Sequence, residues 1–210
     1  MRPVIRVWRA AWDLLREGWW PLLLVGLPAG LGTVWAGALV LRAGPWSLRI
    51  LAGLGAAAAA LALGTGTVWA AARTAYGPLP VGRSLPAAAA LAATAVAGAA
   101  GAALGIVPGV WLLVRWSLAP VVAVAEGGGP GAALRRSAAL VAGRFGFVLL
   151  VLGATGVGLV LLARGLDAWA SGLPAWAARS WAGGVAALTA AGRAAVVTAL
   201  HGELAGTGRP

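Results

Sequence analysis

The chain has 210 residues, of which 61% are hydrophobic and only 10% are charged, and its formal net charge is +11. Soluble domains carry about 25% charged and about 45–50% apolar residues, so too few polar side chains remain here to cover a water-soluble globule. This composition excludes a soluble enzyme, a disordered tail and a disulfide-stabilised secreted module, and it predicts an integral membrane protein. The absence of cysteine also excludes a disulfide, a thiolate metal site and a cysteine nucleophile.

Residues 1–20 have the pattern of an amphipathic helix. Apolar side chains recur in it at steps of three and four, at Val4, Trp8, Trp12, Leu15 and Trp19. Arginines and acids occupy much of the remaining face. A helix with tryptophan on one side and arginine on the other is typical of the membrane interface, so this segment predicts an interfacial helix.

Six apolar stretches follow, each close to the length of about 20 residues that crosses a hydrocarbon core. They lie at 21–41, 50–72, 86–105, 110–125, 145–163 and 182–200. Pro28 is expected to kink the first, and Gly26 and Gly30 form a small-residue face for close packing. The Val-Pro-Gly run at 107–109 predicts a tight turn. We therefore expect an all-α fold, a six-helix integral membrane bundle over 21–204, with a short tail at 205–210.

A polar segment at 126–144 separates the fourth and fifth stretches. Pro130 marks a helix start there, and Leu134, Ala138 and Val141 form one apolar stripe. The segment predicts a second interfacial amphipathic helix at 130–144, lying along the inner leaflet with Arg135, Arg136 and Arg144 toward phosphates. Glu126 is expected to pair with one of these arginines. A plain connector whose basic residues only fix the topology is the alternative.

The arginines also predict the orientation of the chain. An even number of spans places both ends on one side, and that side carries ten of the 16 basic residues, all of which are arginine. The opposite side carries four, and Arg115 and Arg193 fall inside spans. Because short cytoplasmic loops are enriched in arginine, the N-terminus and the C-terminus are both expected in the cytoplasm.

Arg115 is the most informative single residue, because a charge in mid-span costs about 2.5–3.5 kcal/mol on insertion scales and needs a partner. Trp111 lies one turn before it and Trp116 beside it, so a cation–π contact with Trp111 is available. Pro120 lacks the N–H that would bond the carbonyl of Trp116, which leaves that oxygen as an acceptor. Arg115 either binds an anion or a lipid headgroup, or is a structural arginine satisfied by carbonyls or a carboxylate. Arg193 is expected to reach toward an interface.

Catalytic patterns are absent. The single histidine, His201, and nearby Glu203 predict a solvated helix end, and the remaining acids are scattered at membrane edges with no metal-ligand spacing. We do not expect His201 to meet a carboxylate inside the bilayer.

The run 148–158 resembles a dinucleotide fingerprint, but its glycines are misordered and no strand–helix alternation follows, so we interpret it as a spanning helix with glycine packing positions. The sequence predicts no enzyme, no cofactor and no metal site.

A motif covers 107–145: a Pro-Gly turn, an Arg-Trp helix ending in Pro and then Glu, a Gly-Pro step, and Ala-Leu-x-Arg-Ser followed by Gly-Arg-Phe. The matching residues are Pro108, Gly109, Arg115, Trp116, Pro120, Glu126, Gly129, Pro130, Ala133, Leu134, Arg136, Ser137, Gly143, Arg144 and Phe145. This stretch resembles the signature of the glycerophosphoryl diester phosphodiesterase membrane-domain family and its bacterial six-helix relatives. The resemblance implies a stand-alone module of the bacterial inner membrane, without the metal-binding carboxylates and the histidine pair of the phosphodiesterase domain to which some members are fused.

Two functions follow as hypotheses. The first is a non-enzymatic membrane module that organises anionic lipid headgroups or a partner membrane protein, including a second copy of itself. The second is a small transporter or channel with a polar site around Arg115 and the Pro120 helix break. The arginines are spread over loops rather than gathered with stacking aromatics, so nucleic acid is not expected as a partner. The residues of the candidate polar, lipid or anion site are Arg115, Trp111, Trp116, Pro120, Glu126, Arg135, Arg136 and Arg144.

Overall fold

The computed structural model describes the backbone of residues 2–42 and 46–206, and these residues form helices and connecting turns with no strand. Eight α-helices follow one another along the described chain: α1 Arg2–Arg42, α2 Trp46–Tyr76, α3 Ser84–Leu104, α4 Ile106–Trp116, α5 Ala119–Ala125, α6 Pro130–Val141, α7 Phe145–Trp169 and α8 Ala175–Ala205. Short 3₁₀ turns lie at Val81–Arg83 and Ala170–Gly172.

Four stretches of the described chain are long and apolar enough to cross a membrane: Val81–Gly98, Ile106–Ala125, Phe145–Gly172 and Ala175–Ala205. They coincide with the third to the sixth predicted spans. The first two predicted spans lie in α1 and α2. The backbone of both spans is described, but many of their side chains, the connection at 43–45 and the end of the 205–210 tail lie outside the described part of the chain.

No break separates the expected interfacial helix at 1–20 from the first span, because α1 is one continuous helix of 41 residues that also runs through Pro28. Its buried face near the start consists of Val7, Ala11 and Leu14, whereas Trp8 and Trp12 are exposed. The tryptophan pattern therefore identified the exposed side of this helix, and the smaller side chains beside it form the packing face. At about 1.5 Å per residue α1 is about 60 Å long, twice the thickness of a hydrocarbon core.

The turn predicted at 107–109 is wrong in position. The chain reverses at Gly105, whose φ of 137° is accessible to glycine, and Pro108 lies in the first turn of α4. The loop expected after residue 163 is also much shorter than predicted, because α7 continues to Trp169 and α8 begins at Ala175. The indole Nε1 of Trp181 donates to the carbonyl oxygen of Leu166 at 3.1 Å and fastens these two helix ends together.

Close packing of α1 against α8 confirms the small-residue face predicted at Gly26 and Gly30. A Cβ added to Gly30 would overlap the carbonyl oxygen of Gly183, and a Cβ added to Gly26 would lie 3.4 Å from the Cβ of Ala187. The glycines of the 148–158 run behave differently, since a Cβ at Gly153, Gly156 or Gly158 would meet nothing within 4 Å. These three glycines therefore form no close packing contact within the described chain, and their role as packing positions toward another molecule stays a prediction.

Substitution of Gly30 by alanine is expected to destabilise the protein by about 1–3 kcal/mol, because the new methyl group would force α1 and α8 apart. The measurement is the midpoint of thermal unfolding in detergent micelles. Gly153→Ala is the matched control, since its methyl group would enter open space and favour the helix slightly. Equal midpoints for the two variants would contradict the close contact.

Candidate functional site

The candidate span Ile106–Ala125 is interrupted at Ser117 and Leu118, between α4 and α5. The break weakens the regular helical bonding of nearby carbonyls, and hydroxyl groups supply donors in its place. Ser117 Oγ donates to the carbonyl of Val114 at 2.9 Å, and the fully buried Ser137 of α6 donates to the carbonyl of Arg115 at 2.9 Å. A buried carbonyl that is shielded from water needs a donor from the protein itself, and the bond from Ser137 holds α6 against α4.

The carbonyl of Trp116, which Pro120 was predicted to leave free, has a hydroxyl nearby. Thr94 Oγ lies 3.4 Å from this oxygen and 2.8 Å from the carbonyl of Ala90 in its own helix. The single proton of Thr94 is directed mainly to the nearer acceptor, so the Trp116 carbonyl receives only a long contact.

Arg83 closes the other end of α5. Its Nη1 donates to the carbonyl of Val124 at 3.1 Å and to the carbonyl of Ala125 at 3.0 Å. The last carbonyls of a helix have no partner within it, and a guanidinium at this position satisfies them and complements the helix dipole. Gly127 and Gly128 follow with φ of 79° and 94°, which lets the chain turn into α6.

Glu126, directly after α5, connects two other side chains. Its Oε2 accepts from Arg136 Nε at 3.0 Å, so the predicted pairing of Glu126 with an arginine of this segment is confirmed. Its Oε1 lies 3.1 Å from His201 Nε2 of α8. His201 is only 2% exposed, and its Nδ1 lies 2.8 Å from the hydroxyl oxygen of Tyr76 in α2.

The donors in this network can be assigned from chemistry. Paired with Arg136, the Glu126 carboxylate only accepts, so His201 Nε2 carries the proton that it donates. In a neutral ring Nδ1 then accepts from the Tyr76 hydroxyl. In a protonated ring Nδ1 donates to that oxygen, and Tyr76 donates to the carbonyl of Thr198, 3.3 Å away. The network is complete in both states, and it ties α2, the α5–α6 junction and α8 together.

The prediction of a solvated helix end at His201 is therefore wrong, because the ring is buried and contacts both Glu126 and Tyr76. The contact forms near the C-terminal end of α8, and neither of the two cavities described below includes His201, Tyr76 or Glu126. An ion pair between Arg6 and Glu203, at 2.8 Å, ties the start of α1 to the same end of the bundle. The arrangement fits a structural fastening between helices, in which each ring nitrogen already has a partner.

Arg115 lies beside Trp111, with its Cζ 4.8 Å from the centre of the ring, and this confirms the expected cation–π contact. The two residues line a surface recess of about 170 Å³ together with Ala138, Val141 and Phe145 at the junction of α6 and α7. Among the described residues the Arg115 guanidinium forms no ion pair, and neither Asp13 nor Glu126 reaches it. Arg135 and Arg144 are exposed on the same segment.

The structure therefore divides the predicted site residues into separate places. Arg115 and Trp111 share the recess, Glu126 and Arg136 belong to the histidine network, and Pro120 is buried against a second, larger cavity. Trp116 is half-buried and contributes its carbonyl.

Sequence reasoning did not identify Tyr76, Arg83, Ser137 or His201 as parts of this region. Ser137 could have been predicted from the sequence, because it is a polar residue on the otherwise apolar side of α6. Tyr76 and His201 are the only tyrosine and the only histidine of the chain, but no spacing links residues so far apart.

Comparisons of the chain with protein-family models, with curated proteins and with solved structures found no match.

Replacement of Tyr76 by phenylalanine is expected to lower stability by about 1–3 kcal/mol, because it removes a partner of the buried His201 ring while keeping the aromatic volume. The measurement is thermal or denaturant unfolding in micelles. Ser180→Ala in α8, the helix of His201, is the control for the loss of one hydroxyl group, since this hydroxyl bonds only to the carbonyl of Trp176 one turn before. A loss no larger than that of the control would refute the role assigned to the network.

Proposed function

We propose that this chain is a multi-pass module of the bacterial cell membrane, without catalytic activity of its own, that organises anionic lipid at its cytoplasmic face. The observation that carries the proposal is the recess of Trp111 and Arg115, whose guanidinium is held over an indole ring and is paired with no carboxylate of the described chain. A guanidinium in this state is suited to a phosphate group, which accepts two parallel hydrogen bonds from it.

The position of α6 supports this assignment. Ala133, Ser137 and Val141 are buried, whereas Arg135 and Arg136 are exposed, so the helix has its apolar side on the bundle and its basic side outward. Ser137 bonds to the carbonyl of Arg115, which brings α6 to the level of that residue. We infer that Arg115 lies close to the inner headgroup region rather than in mid-membrane, which greatly reduces the cost of its charge.

The proposed topology has six spans and both termini in the cytoplasm. The start of α1, the end of α2, the α5–α6 junction and the end of α8 meet at one end of the bundle through the bonds of Arg6, Tyr76, Glu126 and His201. These are segments that the arginine distribution predicts on the cytoplasmic side. Membership of the glycerophosphoryl diester phosphodiesterase membrane-domain family stays a prediction, based on the motif at 107–145.

The transport alternative placed Arg115 and Pro120 around one polar cavity. In the structure these two residues line different cavities, and Arg115 lies at a shallow recess. This separation favours the lipid module. In the other form of the proposal, the same face binds a partner membrane protein or a second copy of the chain.

Arg115→Leu is expected to reduce the amount of phosphatidylglycerol bound to the purified protein about fivefold, since one arginine near a lipid surface contributes roughly 1 kcal/mol. The measurement is quantitative mass spectrometry of lipid retained from mixed micelles of phosphatidylglycerol and phosphatidylcholine. Arg164→Leu, at the far end of α7, is the matched control and should retain wild-type binding. Unchanged binding by a folded Arg115→Leu protein would reject the site.

The orientation can be tested by cysteine labelling, because the chain contains no cysteine. A membrane-impermeant maleimide added to intact cells should label Ser171→Cys, between α7 and α8, but should label Ala132→Cys of α6 only after permeabilisation. Both positions are exposed in the structure. The reverse pattern, or labelling of both positions in intact cells, would contradict the proposed topology.

A further inference from the structure

The larger cavity, of about 690 Å³, lies between α2, α3, α7 and α8, opposite the helix break at Ser117 and Pro120. Its volume falls within the range of about 300–1,000 Å³ that is usual for pockets enclosing one small molecule. Leucine, valine and alanine side chains form most of its wall. The cavity is therefore a mostly apolar pocket between these helices that is open on one side.

The hydroxyl groups on this wall already have acceptors. Thr67 donates to the carbonyl of Leu63, Thr189 donates to that of Ala186, and Ser117 donates to that of Val114. Each hydroxyl has one proton, so these three groups have no further hydrogen bond to donate to a bound molecule.

Arg193 differs from the rest of the wall. Among the residues that the structure describes it is the one charged residue that lines the cavity, and its side chain is exposed. Among the described residues its guanidinium forms no hydrogen bond or ion pair. It lies three residues past the midpoint of the helix Ala175–Ala205, on the order of 5 Å along the axis. An arginine near the middle of a candidate span is costly without an acceptor, and such residues mark ligand sites in membrane proteins.

We propose that this cavity binds a single-chain lipid whose anionic head group pairs with the Arg193 guanidinium and whose acyl chain lies along the apolar wall. A site with one cation and no other free hydrogen-bond donor matches a ligand that has a single anionic group. A sugar or a nucleotide would need several donors. A carboxylate and a phosphate share the required chemistry, since both accept two bonds from a guanidinium. The inference rests on α8 crossing the membrane, but not on the recess of Arg115.

The test uses the full chain in phosphatidylcholine nanodiscs and three probes of similar chain length: palmitate, lysophosphatidate and hexadecanol. We expect palmitate or lysophosphatidate to bind at one molecule per chain, and the tighter of the two identifies the head group. Hexadecanol, which has the chain but no charge, should bind about tenfold or more weakly, because it forms no ion pair. Failure of both anionic probes to bind, or equal binding of the alcohol, would overturn the proposal.

Two variants locate the bound lipid. Arg193→Leu should weaken binding of the anionic probe about tenfold or more while leaving the alcohol unchanged, and Ala190→Phe should exclude both by filling the cavity. Arg164→Leu is the matched control for loss of an arginine outside the cavity. Arg193→Leu introduces no polar group and no large volume change, so it remains decisive even if Ala190→Phe unfolds, and unchanged palmitate binding by the leucine variant would refute the site. Phosphatidylglycerol retention by Arg115→Leu reports separately on the proposed function.

Discussion

The need to hydrogen-bond backbone carbonyls that are buried by packing governs this end of the bundle. The helix is interrupted at Ser117 and Leu118, near the carbonyls at the end of α4. The buried hydroxyl of Ser137 donates a hydrogen bond to one of these carbonyls, that of Arg115. That bond fixes α6, which carries Arg136 to Glu126, and Glu126 in turn reaches His201. A single backbone requirement thus determines where four polar side chains lie.

Arg115 and Arg193 show how neighbours distinguish residues that look alike in a sequence. Both are arginines in apolar stretches with no acid close in the chain. Arg115 lies on the outside of the bundle, over the ring of Trp111 and next to the basic helix α6. Arg193 lines a cavity whose walls are mostly apolar and include no aromatic ring. The first environment is suited to a headgroup at the surface, and the second to a molecule that is itself mostly apolar.

Sequence patterns predicted those features that depend on near neighbours. The helix start at Pro130, the contact of Arg115 with Trp111 one turn away, and the pairing of Glu126 with an arginine ten residues later all follow from local spacing. The contact of His201 with Glu126 spans 75 positions, and that with Tyr76 spans 125. Only helix packing brings these residues together, and no periodicity encodes it. The reversal at Gly105 was missed because Pro108 fits equally well inside a first helical turn.

The contact of Gly30 with Gly183 also has a consequence for biosynthesis. The first helix is made early and the last helix is made at the end, and these two pack directly against each other. Until translation has passed residue 183, the groove of α1 around Gly26 and Gly30 has only lipid or another protein to cover it. The packing of α1 against α8 and the histidine network can therefore form only after α8 has been made.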